Sequence, residues 1–67
     1  MMVKLNGVPT ETAEDATIAS LLTELGLADA KGIAVAINGI VEARAAWSLR
    51  RLDHGDDVLV IRATQGG

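Results

Sequence analysis

Asp53, His54, Asp56 and Asp57 crowd into five consecutive positions, the densest group of chemically capable side chains in the sequence. A histidine among carboxylates has the donors to bind a divalent cation or relay a proton. The rest of the sequence does not complete such a site. There is one His and no Cys, whereas a structural zinc takes four nitrogen or sulfur ligands. The run His54-Gly55-Asp56-Asp57 instead reads as a turn, in which Asp side chains bond nearby backbone and His54 is solvated. Thr17 and Ser20 carry hydroxyls with no base in a recognisable arrangement, and no thiol nucleophile exists. One Trp, with no Phe or Tyr, makes no stacking platform for bases; Trp47 is expected to be a half-buried packing residue. No catalytic residue and no metal site is assigned.

Gly66-Gly67 at the end of the sequence is the other place where chemistry is available. Two glycines put no side chain in the way of a narrow channel and leave the backbone free. At roughly 3.3–3.6 Å per residue, Thr64 to Gly67 extends about 13–14 Å beyond the element before it. The α-carboxylate of Gly67 then becomes an unhindered acyl group on a tether, with Gln65 and Gly66 as its approach. Fraying of an ordinary terminus is the competing reading of the same residues.

The elements that would carry this tail follow from pattern. Val3-Lys4-Leu5 alternates, Asn6-Gly7 supplies the positive φ angles of a tight hairpin, and Val8 to Ala13 returns with Pro9 near its start. Thr17 caps a helix of about nine residues with Ile18, Leu21, Leu22 and Leu25 on one stripe. Gly26 closes it and Leu27 folds back. Ile33 to Ile37 places three β-branched residues on one face and Ala34 and Ala36 on the other. Asn38-Gly39 turns into a short strand, Ile40-Val41, and both Asn-Gly pairs read as hairpin signals only. The mixed stretch Glu42 to Leu52 is anchored by Trp47 and Leu52, and the final strand runs Val58 to Ala63.

One helix covers only one face of such a sheet. The order predicts an α+β fold of the ubiquitin-like β-grasp type: a mixed sheet of four or five strands, first and last strands parallel, one main helix across one face. A helix-on-sheet roll of different topology fits the same pattern. Residues 1–64 form one domain and 65–67 a flexible tail. With 67 residues the core is small, and 49% hydrophobic content excludes a disordered chain. The final strand is apolar on both faces. With Val58 and Val60 toward the helix, Leu59 and Ile61 lie on the open face near Ala34 and Ala36, a candidate docking surface for a protein partner. The alternative is that Trp47 and its neighbours fold over this face.

The formal net charge is −3 and the six basic residues are scattered along the sequence. Nucleic acids and anionic membranes, which need clustered Lys and Arg, are therefore not expected partners. No apolar run approaches the roughly 20 residues of a membrane span, and Met1-Met2-Val3-Lys4 lacks the pattern of a signal peptide. A soluble, cytoplasmic domain is expected.

With these elements in place the chain resembles the ThiS family, the sulfur carriers of thiamine biosynthesis. The resemblance runs through Asn6-Gly7, Thr17 to Leu27, Ile33 to Gly39, Val41, Arg44, Trp47, Leu52, Gly55-Asp56, Val58 and the terminal Gln65-Gly66-Gly67. Ala43 stands where the family often has Pro, and Leu59 where a charged residue is common; the latter weakens the docking patch as a family trait. The resemblance implies a protein co-substrate rather than an enzyme. A ThiF-like adenylating enzyme, using ATP and magnesium that this chain itself does not bind, would activate the Gly67 carboxylate. A persulfide from a cysteine desulfurase would then deliver sulfur. A ThiG-like thiazole synthase would take it from the Gly67 thiocarboxylate. The small sulfur-carrier subunit of molybdopterin synthase shares the fold and the Gly-Gly end, though it usually runs longer. A non-reactive β-grasp interaction module, or a protein tag ligated to lysines, would use the same fold.

Overall fold

Val3, Val35, Ile37 and Val58, one or two from each of three strands, meet Ile18, Leu21 and Leu22 of the helix in one buried cluster. The computed structural model, which describes residues 1–62, builds that cluster from five strands and a helix. The strands are β1 (Met2–Leu5), β2 (Val8–Glu11), β3 (Ile33–Ile37), β4 (Ile40–Glu42) and β5 (Asp57–Arg62), with α1 (Ile18–Glu24) after β2. They form a single sheet in the order β2-β1-β5-β3-β4. β1 and β5 are parallel and the other neighbours antiparallel, as the sequence pattern predicts. The sheet position of Pro9 follows from its missing N–H: β2 is an edge strand, where a lost donor costs no ladder bond.

Both helix ends are closed by the residues expected, and their geometry shortens the helix. Thr17 Oγ1 accepts from Ser20 N–H at 3.1 Å while Ser20 Oγ accepts from Thr17 N–H at 2.8 Å, a reciprocal capping box. This occupies the two hydroxyls that lacked a catalytic base. Thr17→Ala is expected to lower stability by about 1 kcal/mol, measured by urea unfolding. Gly26, at φ +75°, takes the left-handed position, and Leu27 N–H reaches back to Leu22 O at 2.8 Å. That closure ends the helix after seven residues rather than about nine. Leu25 becomes the C-cap and is exposed, so the apolar stripe ends at Leu22. Leu27 replaces it by packing on the core from the far side of the turn.

Other boundaries shift for simple reasons. β2 stops at Glu11 instead of Ala13 because its partner β1 begins at Met2, opposite Glu11; Thr12 N–H makes one last bond, to Met1 O at 2.7 Å. The last strand starts one residue early, at Asp57, and Ala63 lies outside the described residues. So do the domain boundary at 64 and the tail residues Gln65, Gly66 and Gly67. Trp47 is buried, not half-buried. It packs in the helix-side core and donates from Nε1 to Glu42 O at 3.0 Å, after a short 3₁₀ turn at Arg44–Ala46.

The two Asn-Gly pairs do more than turn the chain. Asn6 and Asn38 have φ near +50°, as such hairpins require. Asn6 Oδ1 also accepts from Val60 N–H at 2.8 Å, continuing the β1–β5 ladder one step past the end of β1. Asn38 Oδ1 accepts from Asp57 N–H at 2.9 Å, and its Nδ2 donates to Asp56 Oδ1 at 3.0 Å. Both turns are thereby fastened to β5.

Candidate functional site: the open sheet face of β5

The side chains of β5 divide as the alternation predicts. Opposed residues of neighbouring strands share a face. Ile37 opposes Val58 and Val35 opposes Val60, on the helix side. Ala36 opposes Leu59 and Ala34 opposes Ile61, on the other side. Leu59 and Ile61 are 45% and 46% exposed. Trp47 does not cover them, because its place is in the core beside Ile18, Leu21 and Leu22. Leu59 and Ile61 are therefore uncovered among the described residues, while Ala36 between the strands is itself buried.

Strand register adds to this face a residue that the alternation within β5 does not reveal. Val41 of β4 opposes Ala36, so Leu59, Ala36 and Val41 form one row across three strands, and Val41 is 69% exposed. The signal was present in the two-residue turn Asn38-Gly39: it pairs Ile37 with Ile40 and hence Ala36 with Val41. Ala36, small and flanked by two larger side chains, keeps the row shallow. Across β1 the same face turns polar, with Lys4 opposite Asp57 and Pro9. The patch is thus an apolar strip beside a polar margin. It lies on the central strand, whose end leads in sequence to residues 63–67.

The Asp and His residues have structural employment. Asp56 is only 6% exposed, and its two carboxylate oxygens accept from Asn38 Nδ2 and, at 2.8 Å, from Asp53 N–H. It ties the loop before β5 to the β3–β4 turn. Asp56→Ala removes the acceptor for two donors at once and is expected to cost about 2–3 kcal/mol, read as a lower urea midpoint with an unchanged slope. His54 is exposed, and its Nδ1 accepts from Met2 N–H at 3.4 Å, a long contact. No group of three or more potential metal ligands occurs among the described residues. No helix of the described residues is long and apolar enough to cross a membrane.

A five-stranded mixed sheet with parallel first and last strands and a single helix on one face is the ubiquitin-like β-grasp fold. Within that class, the family model of the ThiS family matches residues 3–67, and the chain belongs to the ThiS family. A crystal structure of the thiamine biosynthesis protein ThiS from Geobacter metallireducens is similar over the full length of both chains, with 32% identity and a TM-score of 0.85. A solution NMR structure of a thiamine biosynthesis protein from the same organism is similar at 32% identity and a TM-score of 0.80, over all of this chain and 88% of the other. No curated protein matches the sequence significantly.

Proposed function

We propose that this chain is a sulfur carrier for thiazole formation in thiamine biosynthesis, working in the cytoplasm and loaded at Gly67. The observation that carries the reading is the family match, which runs through the terminal Gln65-Gly66-Gly67. Reactive side chains are scarce, and those nearest to a site are engaged in structure: Thr17 and Ser20 in the helix cap, Asp56 in a loop clamp. A carrier needs none of them.

The chemistry is acyl activation. A carboxylate is a poor electrophile because its negative charge repels nucleophiles and oxide is a poor leaving group. In the partner ThiF-like enzyme a Gly67 oxygen attacks the α-phosphorus of ATP, with magnesium screening the phosphates, and pyrophosphate leaves. The acyl-adenylate so formed has AMP as its leaving group. The terminal sulfur of a persulfide, drawn from cysteine by a desulfurase, attacks the carbonyl carbon and AMP departs. A thiol then reduces the remaining S–S bond, leaving a thiocarboxylate on Gly67. A ThiG-like thiazole synthase accepts that sulfur. ATP, magnesium and catalytic side chains belong to the partners, and the chain is their co-substrate. In this scheme the apolar strip of Leu59, Ile61 and Val41 seats the domain on a partner.

ATP–pyrophosphate exchange by the adenylating enzyme tests the first step. Exchange is expected only when this chain is added. Exchange at the same rate without it would remove the chain from the reaction.

A further inference from the structure

The charges that look scattered in sequence are sorted by the fold. Register places Arg62, the last residue of β5, opposite Ile33 at the start of β3. Lys31 lies two residues before Ile33. Arg44 follows β4 toward the same end of the sheet and donates from Nη2 to Ala30 O at 3.3 Å. Three of the six basic residues thus gather where β5 ends. None has a carboxylate within ion-pair distance among the described residues, where the side-chain ion pair is Arg50 with Glu42. Asp29 lies two residues before Lys31, and Glu42 two before Arg44, with the Glu42 carboxylate on Arg50 at 3.6 Å.

The opposite end, where β5 starts, holds most of the acidic residues, with Lys4 opposite Asp57 and the Met1 ammonium 3.7 Å from Glu11 and 3.6 Å from Glu14 as their counter-charges. Asp53, Asp56 and Asp57 lie in or beside the loop that opens β5. Gly55 N–H donates to Met2 O, which brings the start of β1 alongside, and Glu11 opposes Met2. Glu14 and Asp15 precede the helix at this end, where Leu52 N–H donates to Ala16 O. Six of the nine acidic residues therefore sit away from the end of β5.

We infer that this charge polarity is a docking device: Lys31, Arg44 and Arg62 form a basic collar that steers the tail-bearing end of the domain onto a carboxylate-lined surface of the adenylating enzyme. The inference rests on the carrier reading for the identity of that partner. Arg44 is already held, with its guanidinium 4.7 Å from the Trp47 ring centroid and one nitrogen on Ala30 O. It therefore presents its remaining donors with little conformational entropy left to lose. The three cations come from three separate segments, and no cavity opens among the described residues. This favours a broad protein surface over a nucleotide phosphate. A nucleic acid is disfavoured by the acidic far end and the net charge of −3. Opposed charge across an encounter raises the association rate and loses its effect as salt rises.

The test is the association rate of the full chain with the purified ThiF-like enzyme, measured by stopped flow at low and high salt. Lys31→Glu and Arg62→Glu change exposed positions. Arg51→Glu makes the same change in net charge at the acidic end, beside Thr17. Lys31→Glu and Arg62→Glu are each expected to slow association about threefold or more at low salt, converging on the unaltered chain at high salt, with Arg51→Glu slowing it less. Equal slowing by all three would reduce the effect to net charge and overturn the collar. Unaltered association, or an effect only on the KM for ATP, would overturn it as well, as would failure of the unaltered chain to bind. Thiocarboxylate formation by the unaltered chain reports separately on the carrier reading. A chain that accepts sulfur but ignores the reversals overturns the collar and leaves the carrier intact.

Discussion

Deleting Gly67 is expected to abolish sulfur loading while leaving the folded domain unchanged. The core and the side chains packed on it are complete by Val60, and β5 ends at Arg62, so nothing in the described fold depends on the last residue. The deletion still leaves a glycine carboxylate at position 66. What changes is reach: the acyl group falls short by one residue, roughly 3.3–3.6 Å. A misplacement of about 1 Å at a reacting centre can already cost on the order of 10²-fold in rate. Loading is therefore expected to drop by at least about 10²-fold, assayed by thiocarboxylate formation with the cognate enzyme, ATP and magnesium. Urea unfolding of the shortened chain should overlay that of the full one. A non-reactive interaction module predicts the reverse pattern, full function without Gly67.

Placing a carboxylate on the open face should separate docking from folding. Leu59→Asp and Ile61→Asp each replace a half-exposed apolar side chain with a charge. In the free domain the new carboxylate stays in water, so the fold tolerates it. In a complex it must be desolvated against an apolar surface, and an unpaired buried charge is far costlier than the lost contact. Partner affinity is expected to fall by about tenfold to a hundredfold for either variant, read by calorimetric titration with the adenylating enzyme. Circular dichroism and the unfolding midpoint should stay near those of the unaltered chain. Unchanged affinity for both variants would show that the apolar strip is not the docking surface.

The sequence was most legible where structure is set by neighbours along the chain. Ile18, Leu21 and Leu22 recur at helical spacing, Thr17 and Gly26 mark the ends, and both Asn-Gly turns lie where the hairpins form. Alternation in β5 correctly divided Val58 and Val60 from Leu59 and Ile61. The misreadings come from contacts made across the chain. Leu25 fits the stripe, but the Schellman closure lifts it off the core, and Leu27 fills in from beyond the turn. Asn6 is a turn signal in its local sequence, and nothing local shows that its side chain bonds Val60, 54 positions away. Val41 joins the apolar row, and Lys31, Arg44 and Arg62 gather at one end, only because strand register sets them there. Local pattern encodes the elements, whereas the surfaces they form depend on how strands are ordered and aligned.

The central claim, that Gly67 carries sulfur, is tested most directly by intact-mass analysis with fragmentation. The full chain would be incubated with the ThiF-like enzyme, ATP, magnesium, cysteine and a desulfurase. A carrier loaded at Gly67 gains the mass of one oxygen exchanged for one sulfur, confined to fragments that contain Gly67 and dependent on ATP. An unchanged mass under conditions in which the enzyme loads a known carrier, or sulfur found on any other residue, would contradict it.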